Sequence, residues 1–214
     1  MRQVSVLGQG ATPVGLADGM ARVRGGSDDA CVALTFDDAF RNFYDVVWPM
    51  LQEHRVPATL FVPTGFVDGT SPAPIGGVDL PPCSWSQLRE LAASDVVTIG
   101  SHTCTHPDLR SLNRDGLEAE LRNSRARLED ELGVPVGSFC YPRALWNRRV
   151  EREVAEVYDL AVIGGGRRIT ASNLNPHRLW RTSIRRDSPL PVEQWLTSPW
   201  WLEEAAADVV RRLR

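Results

Sequence analysis

The chain has 214 residues, 43% hydrophobic and 24% charged, with a net charge of −3, the profile of one globular domain with room for a proper core. The mildly acidic balance, with no basic cluster, excludes a nucleic-acid surface, and no stretch nears the roughly 18 apolar residues of a membrane span. Every basic residue is Arg and none is Lys, which removes lysine Schiff bases and the P-loop lysine from the candidate chemistries.

The opening residues, "MRQVSVLGQGATPVGLADGM", lack the apolar core of a signal peptide, so the expectation is a cytoplasmic protein. A secreted chain whose leader had been removed would read the same way. Cys31, Cys83, Cys104 and Cys140 form no CxxC pair and no zinc-finger spacing, and read as reduced thiols packed as small hydrophobes. Residues 1–30 carry the least interpretable pattern and read as a lead-in to a single domain over 31–214.

From there strand-like and helix-like stretches alternate. "CVALTF" reads as a strand, and "NFYDVVWPMLQEHR" as a helix with a kink or restart at Pro49. "ATLFVP" is the next strand, followed by a Pro- and Gly-rich loop from Thr64 to Pro82, longer than a connector requires. "SWSQLRELAAS" opens on a Ser cap and reads as a helix; "VVTIGSH" is a third strand. In "NRDGLEAELRNSRARLEDELG" the residues Leu117, Leu121, Leu128 and Leu132 share one helical face, and Gly133 ends it. "VGSFCYP", "RRVEREVAEVYD" and "LAVIGG" continue as strand, helix and strand, "HRLWRTSIR" offers a sixth strand, and the tail from Pro191 reads as helical with a break at Pro199. Repeated β-then-α order predicts parallel strands covered by helices, as an open sheet or a barrel, with function at the carboxyl edge of the strands.

Three polar clusters fall where predicted strands stop: Asp37 and Asp38 after "VALTF", His102 and His106 after "VVTIG", and Tyr141, Pro142 and Arg143 after "VGSFC". In a parallel sheet of neighbouring strands all three converge on one mouth. A pair of aspartates alone is most often a solvated turn, and two histidines four apart are often unrelated. Their coincidence at the ends of predicted parallel strands favours a metal site. Two neutral imidazoles and one carboxylate make a three-ligand set that leaves a position open for water, the pattern of a catalytic zinc. The second carboxylate, held beside it, can take a proton. Pro107 disfavours helical geometry at His106, so its turn is a loop or a helix start. Trp48 reads as core, and Trp85, beside the long loop, as groove lining.

"LTFDDAF", "SHTCTH" and "FCYP", in this order and spacing, resemble the polysaccharide deacetylase (NodB-like, carbohydrate esterase family 4) domain. "VPATLFVPTGF" and "SWSQLRELAASDVVTIGSHTCTH" resemble its framework, from about Ala30 to at least Tyr158 and more faintly to Arg186. The resemblance implies a distorted (β/α) barrel and a metal-dependent hydrolase that removes acetyl groups from N-acetylated sugars. By position, Asp37 would be the general base, while Asp38, His102 and His106 would hold one divalent ion, zinc foremost. A backbone N–H near Arg143 would help hold the oxyanion. Tyr141, Pro142, Arg143 and Trp85 would meet the substrate, an N-acetylated carbohydrate or a small amide.

The chain departs from the family pattern at several points. Cys140 stands where many members place an Arg that steers the catalytic aspartate, and Arg181 is the candidate replacement. Arg143 and Ala144 stand where an aromatic residue and a glycine are common. No late Leu-x-His motif is visible, which leaves His177 as the candidate proton donor, and the family's opening Tyr-His element is absent. Two alternatives stand beside N-deacetylation: hydrolysis of a non-sugar amide at the same site, and a carbohydrate-binding relic without turnover.

Overall fold

The computed structural model of the chain describes residues 11–27, 29–75, 79–166 and 169–183. A short strand β1 (Thr12–Pro13) runs into helix α1 (Leu16–Arg24) and pairs in parallel with β2 (Cys31–Val32). Within the lead-in, Leu16 and Met20 pack against the main sheet. The predicted strand "CVALTF" divides at Ala33, because β3 (Leu34–Phe36) leaves β2 and opens a second sheet.

A π-helical turn, Phe43–Val47, restarts as α2 (Trp48–His54), with Pro49 in the first turn, where its missing N–H costs nothing. The order continues with β4 (Ala58–Val62), a one-turn α3 (Thr64–Val67), α4 (Trp85–Ala92), β5 (Val97–Ser101), α5 (Arg114–Leu132), β6 (Ser138–Cys140), α6 (Arg148–Val157), β7 (Leu160–Gly164) and β8 (Leu179–Arg181). Helix starts obey local chemistry: Ser84 and Gln87 form a reciprocal capping box, and Asn113 and Asn147 cap α5 and α6 through their side chains. Gly133, at φ 66°, ends α5 in the left-handed conformation that a helix stop requires.

Strands β3 to β8 lie side by side in chain order, every pair parallel, as the curled wall of a distorted (β/α) barrel. The two-residue period of a strand then sorts side chains by face. Leu60, Val62, Ile99, Phe139, Tyr141, Ala161 and Ile163 join the helices in the larger core. Phe61, Cys140, Leu160, Val162 and Leu179 form a second cluster inside the wall, covered by Leu16 and Met20 of α1. Gly100 belongs to that inner face and has no room for a methyl group: a Cβ would sit 2.5 Å from the Phe61 ring and 2.6 Å from Ser138 Oγ. Among the described residues no helix is long and apolar enough to cross a membrane. The predicted tail helix and residues 184–185 of the sixth strand lie outside the described residues.

Candidate active site

Two turns at the carboxyl edge of the sheet build the site. Asp37 follows β3 directly, and the chain doubles back through Asp38 (φ 75°) and Ala39 (φ 51°). His102 follows β5, and its turn uses Thr103 (φ 70°) and His106 (φ 56°). Left-handed backbone at residues other than glycine costs roughly 1–2 kcal/mol each and persists only where surrounding contacts impose it. Such residues here cluster beside the charged groups.

The turns bring three side chains together. Asp38 Oδ1 lies 3.6 Å from His102 Nε2 and 3.9 Å from His106 Nε2, and the two imidazole rings meet edge to face at 4.7 Å. All three residues are buried, and one ligand atom from each falls within 4.8 Å of the others. His102 Nδ1 lies 2.8 Å from the Cys140 carbonyl and donates to it, which leaves the Nε2 lone pair facing the cluster. Asp38 Oδ1 is buried without a hydrogen-bond partner, a costly state for a carboxylate oxygen unless a cation meets it. Burial, helped by His102 and Arg143, holds the His106 imidazole down at about 4, in the neutral form that a ligand needs. Burial pushes the Asp38 carboxyl up, against the pull of His102. These residues fit a divalent cation.

Beside them Asp37 takes a different part. Burial raises its pKa, but Arg181 outweighs that and holds it at about 2. The guanidinium grips both carboxylate oxygens, Nη1 to Oδ1 and Nη2 to Oδ2 at 2.8 Å each, the two-pronged geometry that arginine suits. Nη1 also donates to Thr35 Oγ1 at 2.9 Å, and Nη2 lies 2.9 Å from Cys140 Sγ. The Cys140 thiol, pushed far up by burial, stays protonated and lies 3.6 Å from Asp37 Oδ2. Position 140 thus offers a thiol, and the cation that meets Asp37 comes from β8.

The other predicted residues divide. Arg143 is exposed, at φ 55°, with Nη2 3.4 Å from the His106 carbonyl, so it borders the cluster. The Tyr141 N–H is engaged by Val162 O at 3.1 Å and Pro142 has none, so the first N–H after them is that of Arg143. Tyr141 itself is only 2% exposed, its side chain packs in the helix-side core, and its hydroxyl donates to the His177 carbonyl at 2.8 Å. Pro142 is buried at the start of a short 3-10 turn. Trp85, half-exposed, donates its indole N–H to Asp68 (2.8 Å) and lies beneath Arg127, 4.9 Å from its ring, tying three segments together. The structure does not bring His177, the candidate proton donor, into the cluster. His177 precedes β8, and its Nε2 bonds the carbonyl of Tyr158, which precedes β7, so the ring lies at the amino ends of these strands.

Sequence reasoning missed Thr35 and Thr103. Thr35 lies two positions before Asp37, on the same strand face, a signal the pleat provides. Thr103 carries the hydroxyl that accepts the His106 N–H at 2.9 Å and donates to the His102 carbonyl, and nothing local marks it.

The family model for polysaccharide deacetylase matches residues 24–163. Chitooligosaccharide deacetylase of Rhizobium leguminosarum bv. trifolii is 35% identical over 100 residues, covering 46% of this chain and 40% of that protein. Poly-beta-1,6-N-acetyl-D-glucosamine N-deacetylase of Escherichia coli (strain K12) is 36% identical over 102 residues, 44% of this chain and 15% of that protein. The chain thus spans less than half the length of these curated relatives. In fold it is similar to Streptococcus pyogenes deacetylase PplD, solved in complex with acetate (TM-score 0.77, 23% identity, 92% of this chain and 85% of that one). It is similar also to IcaB from Ammonifex degensii (TM-score 0.73, 21% identity, 92% and 87%).

Proposed function

This chain belongs to the polysaccharide deacetylase family, and from that premise we propose that it hydrolyses the N-acetyl group of an amino sugar in an oligo- or polysaccharide, using one divalent cation, zinc foremost. The observation that carries the reading is the unpartnered, buried Asp38 Oδ1 facing His102 Nε2 and His106 Nε2, next to an aspartate held ionised by Arg181. Relatives named for deacetylation of chitooligosaccharides and of poly-N-acetylglucosamine support the substrate class.

Asp38, His102 and His106 would hold the cation. Bound there, it would supply Lewis-acid chemistry, polarising a carbonyl oxygen and making water easier to deprotonate. Asp37, free of that cluster and fixed by the two-pronged guanidinium, accepts the proton of the attacking water. The same contact that keeps it ionised and oriented also lowers its basicity, so its position contributes more than its proton affinity. Arg143 borders the site on the solvent side, and its N–H is the candidate donor to the oxyanion, a contact worth on the order of 3 kcal/mol where aligned. With His177 committed elsewhere, the proton that Asp37 takes from water is the one available to the leaving nitrogen. Water gives one proton to Asp37 and its hydroxyl to the acetyl carbon, the C–N bond breaks, the amine departs with the returned proton, and acetate is released.

The test is metal content by elemental analysis together with acetate release from N-acetylglucosamine oligomers. Asp38→Ala is expected to lose the ion and all turnover. Asp37→Asn is expected to keep the ion and lose about 10²–10⁴ in rate, the usual share of a general base. An Asp38→Ala chain that retains the parent's metal, or an Asp37→Asn chain with near-parent turnover, would defeat the assignment.

A further inference from the structure

The loop that carries two of the candidate ligands is itself held from outside the cluster, and one side chain does most of the holding. Glu120, half-buried on α5, turns its carboxylate onto the segment between His102 and His106. Its Oε2 accepts the N–H of Cys104 at 2.8 Å and the N–H of Thr105 at 3.0 Å, and its Oε1 accepts the Thr105 hydroxyl at 2.6 Å. No arginine among the described residues forms an ion pair with it, so its charge is directed at the loop. The carbonyls of the same segment are taken from the opposite side: Thr103 O by the Thr64 N–H (3.1 Å) and Cys104 O by the Gly65 N–H (2.8 Å).

The helix that carries Glu120 is fixed to the strand beneath. One turn further on, Ser124 Oγ lies 2.8 Å from Ser101 Oγ, and the Tyr158 hydroxyl donates to Leu121 O at 2.7 Å. The start of the loop, at Ser101, and its middle, at Cys104 and Thr105, are therefore referred to a single helix. Thr103 and His106 adopt left-handed backbone that neither would choose in isolation, and an external restraint is what such a turn requires.

The geometry points to Glu120 as the positioning residue of this loop, setting the separation of His102 and His106 and with it the cation affinity of the site. The inference rests on the metal-site reading above. Partners of this outer kind typically govern metal affinity by about 10–100-fold.

The experiment measures Zn2+ affinity by competition with a chromophoric chelator for the parent, Glu120→Ala, Glu120→Gln and Thr105→Val, with the melting temperature of each chain after metal removal. Glu120→Ala is expected to bind Zn2+ about 10–100-fold more weakly. Glu120→Gln should stay close to the parent, because its amide oxygen can keep both N–H bonds while its NH2 donates to Thr105 Oγ1. Thr105→Val loses a single bond and should fall between them. A purely structural contact would lower the melting temperature of the metal-free chains and leave Zn2+ affinity alone, which overturns the proposal. So does a Glu120→Gln chain as weak as Glu120→Ala, since charge and not geometry would then matter. If Glu120→Ala does not fold, unchanged affinity in Thr105→Val has the same force. A parent chain that takes up no Zn2+ at all would instead bring down the metal-site reading, a distinct result.

Discussion

Replacing Arg181 by Met keeps a long unbranched stem and removes the cation that grips Asp37. In the parent, Asp37 falls from 3.8 to about 2 against the opposing effect of burial. At about 1.36 kcal/mol per unit, that fall is worth roughly 2 kcal/mol. A third of the Asp37 side chain (33%) remains in contact with water, and screening reduces the figure to about 1–2 kcal/mol. The folded value lies below the unfolded one, so the stabilisation is fully present above about pH 4 and is lost as pH falls through about 2. Without Arg181, burial is opposed only by His102 and the Cys140 thiol, so the Asp37 pKa must rise from its value in the parent. The stability gap between parent and variant is therefore widest near neutrality and closes in acid. The assay is a pH profile of acetate release with melting curves at matched pH. The acid limb of kcat/KM should move to higher pH, and the rate at pH 7 should fall on the order of 10²-fold as the base loses its orientation. Arg181→Lys, which keeps charge but not the fork, should fall between. An unmoved acid limb with near-parent turnover in Arg181→Met would refute the reasoning.

His177→Ala removes the ring's 3.1 Å bond to the Tyr158 carbonyl and should cost about 1 kcal/mol of stability with kcat and KM unchanged; a collapse of kcat in a folded variant would restore His177 as a proton donor. Gly100→Ala must place a methyl 2.5 Å from the Phe61 ring, an overpacking expected to cost about 1–3 kcal/mol. At roughly 2–4 °C per kcal/mol for a chain of this size, its melting temperature should drop by several degrees, and an unchanged value would mean that the inner face of the wall yields.

The elements were legible because their signals are local. "ATLFV" and "LAVIG" are apolar runs of strand length, and Ser84, Asn113 and Gly133 punctuate helices in the expected places. The carboxylates and imidazoles were legible because each stands at the end of a recognisable strand. What escaped was parity and polarity. Tyr141 was expected to meet substrate, but it stands one residue on from Cys140 of the inner face and two on from Phe139 of the outer, which puts its side chain among the helices. His177 was near the right strand but on its amino side, whereas Arg181 closes the same strand at the rim where chemistry gathers. Trp85 opens a helix, and its partners Asp68 and Arg127 come from segments whose meeting no local pattern announces. The division of "CVALTF" follows from a pairing with Thr12–Pro13, a stretch too short to carry a strand signal of its own.

Arg181 belongs to the last strand of the main sheet and Asp37 follows the first, 144 residues earlier in the chain. The contact therefore stitches the two margins of the wall across the gap between β3 and β8, and adds Thr35 to the seam. During synthesis from the amino terminus, the aspartate, both histidines and the loop that bears them all emerge ahead of the guanidinium. Until β8 has docked, the carboxylate sits at an open margin without its counter-charge. The charge pairing of Asp37 is thus tied to the docking of β8, because that strand delivers the guanidinium that meets the carboxylate after β3.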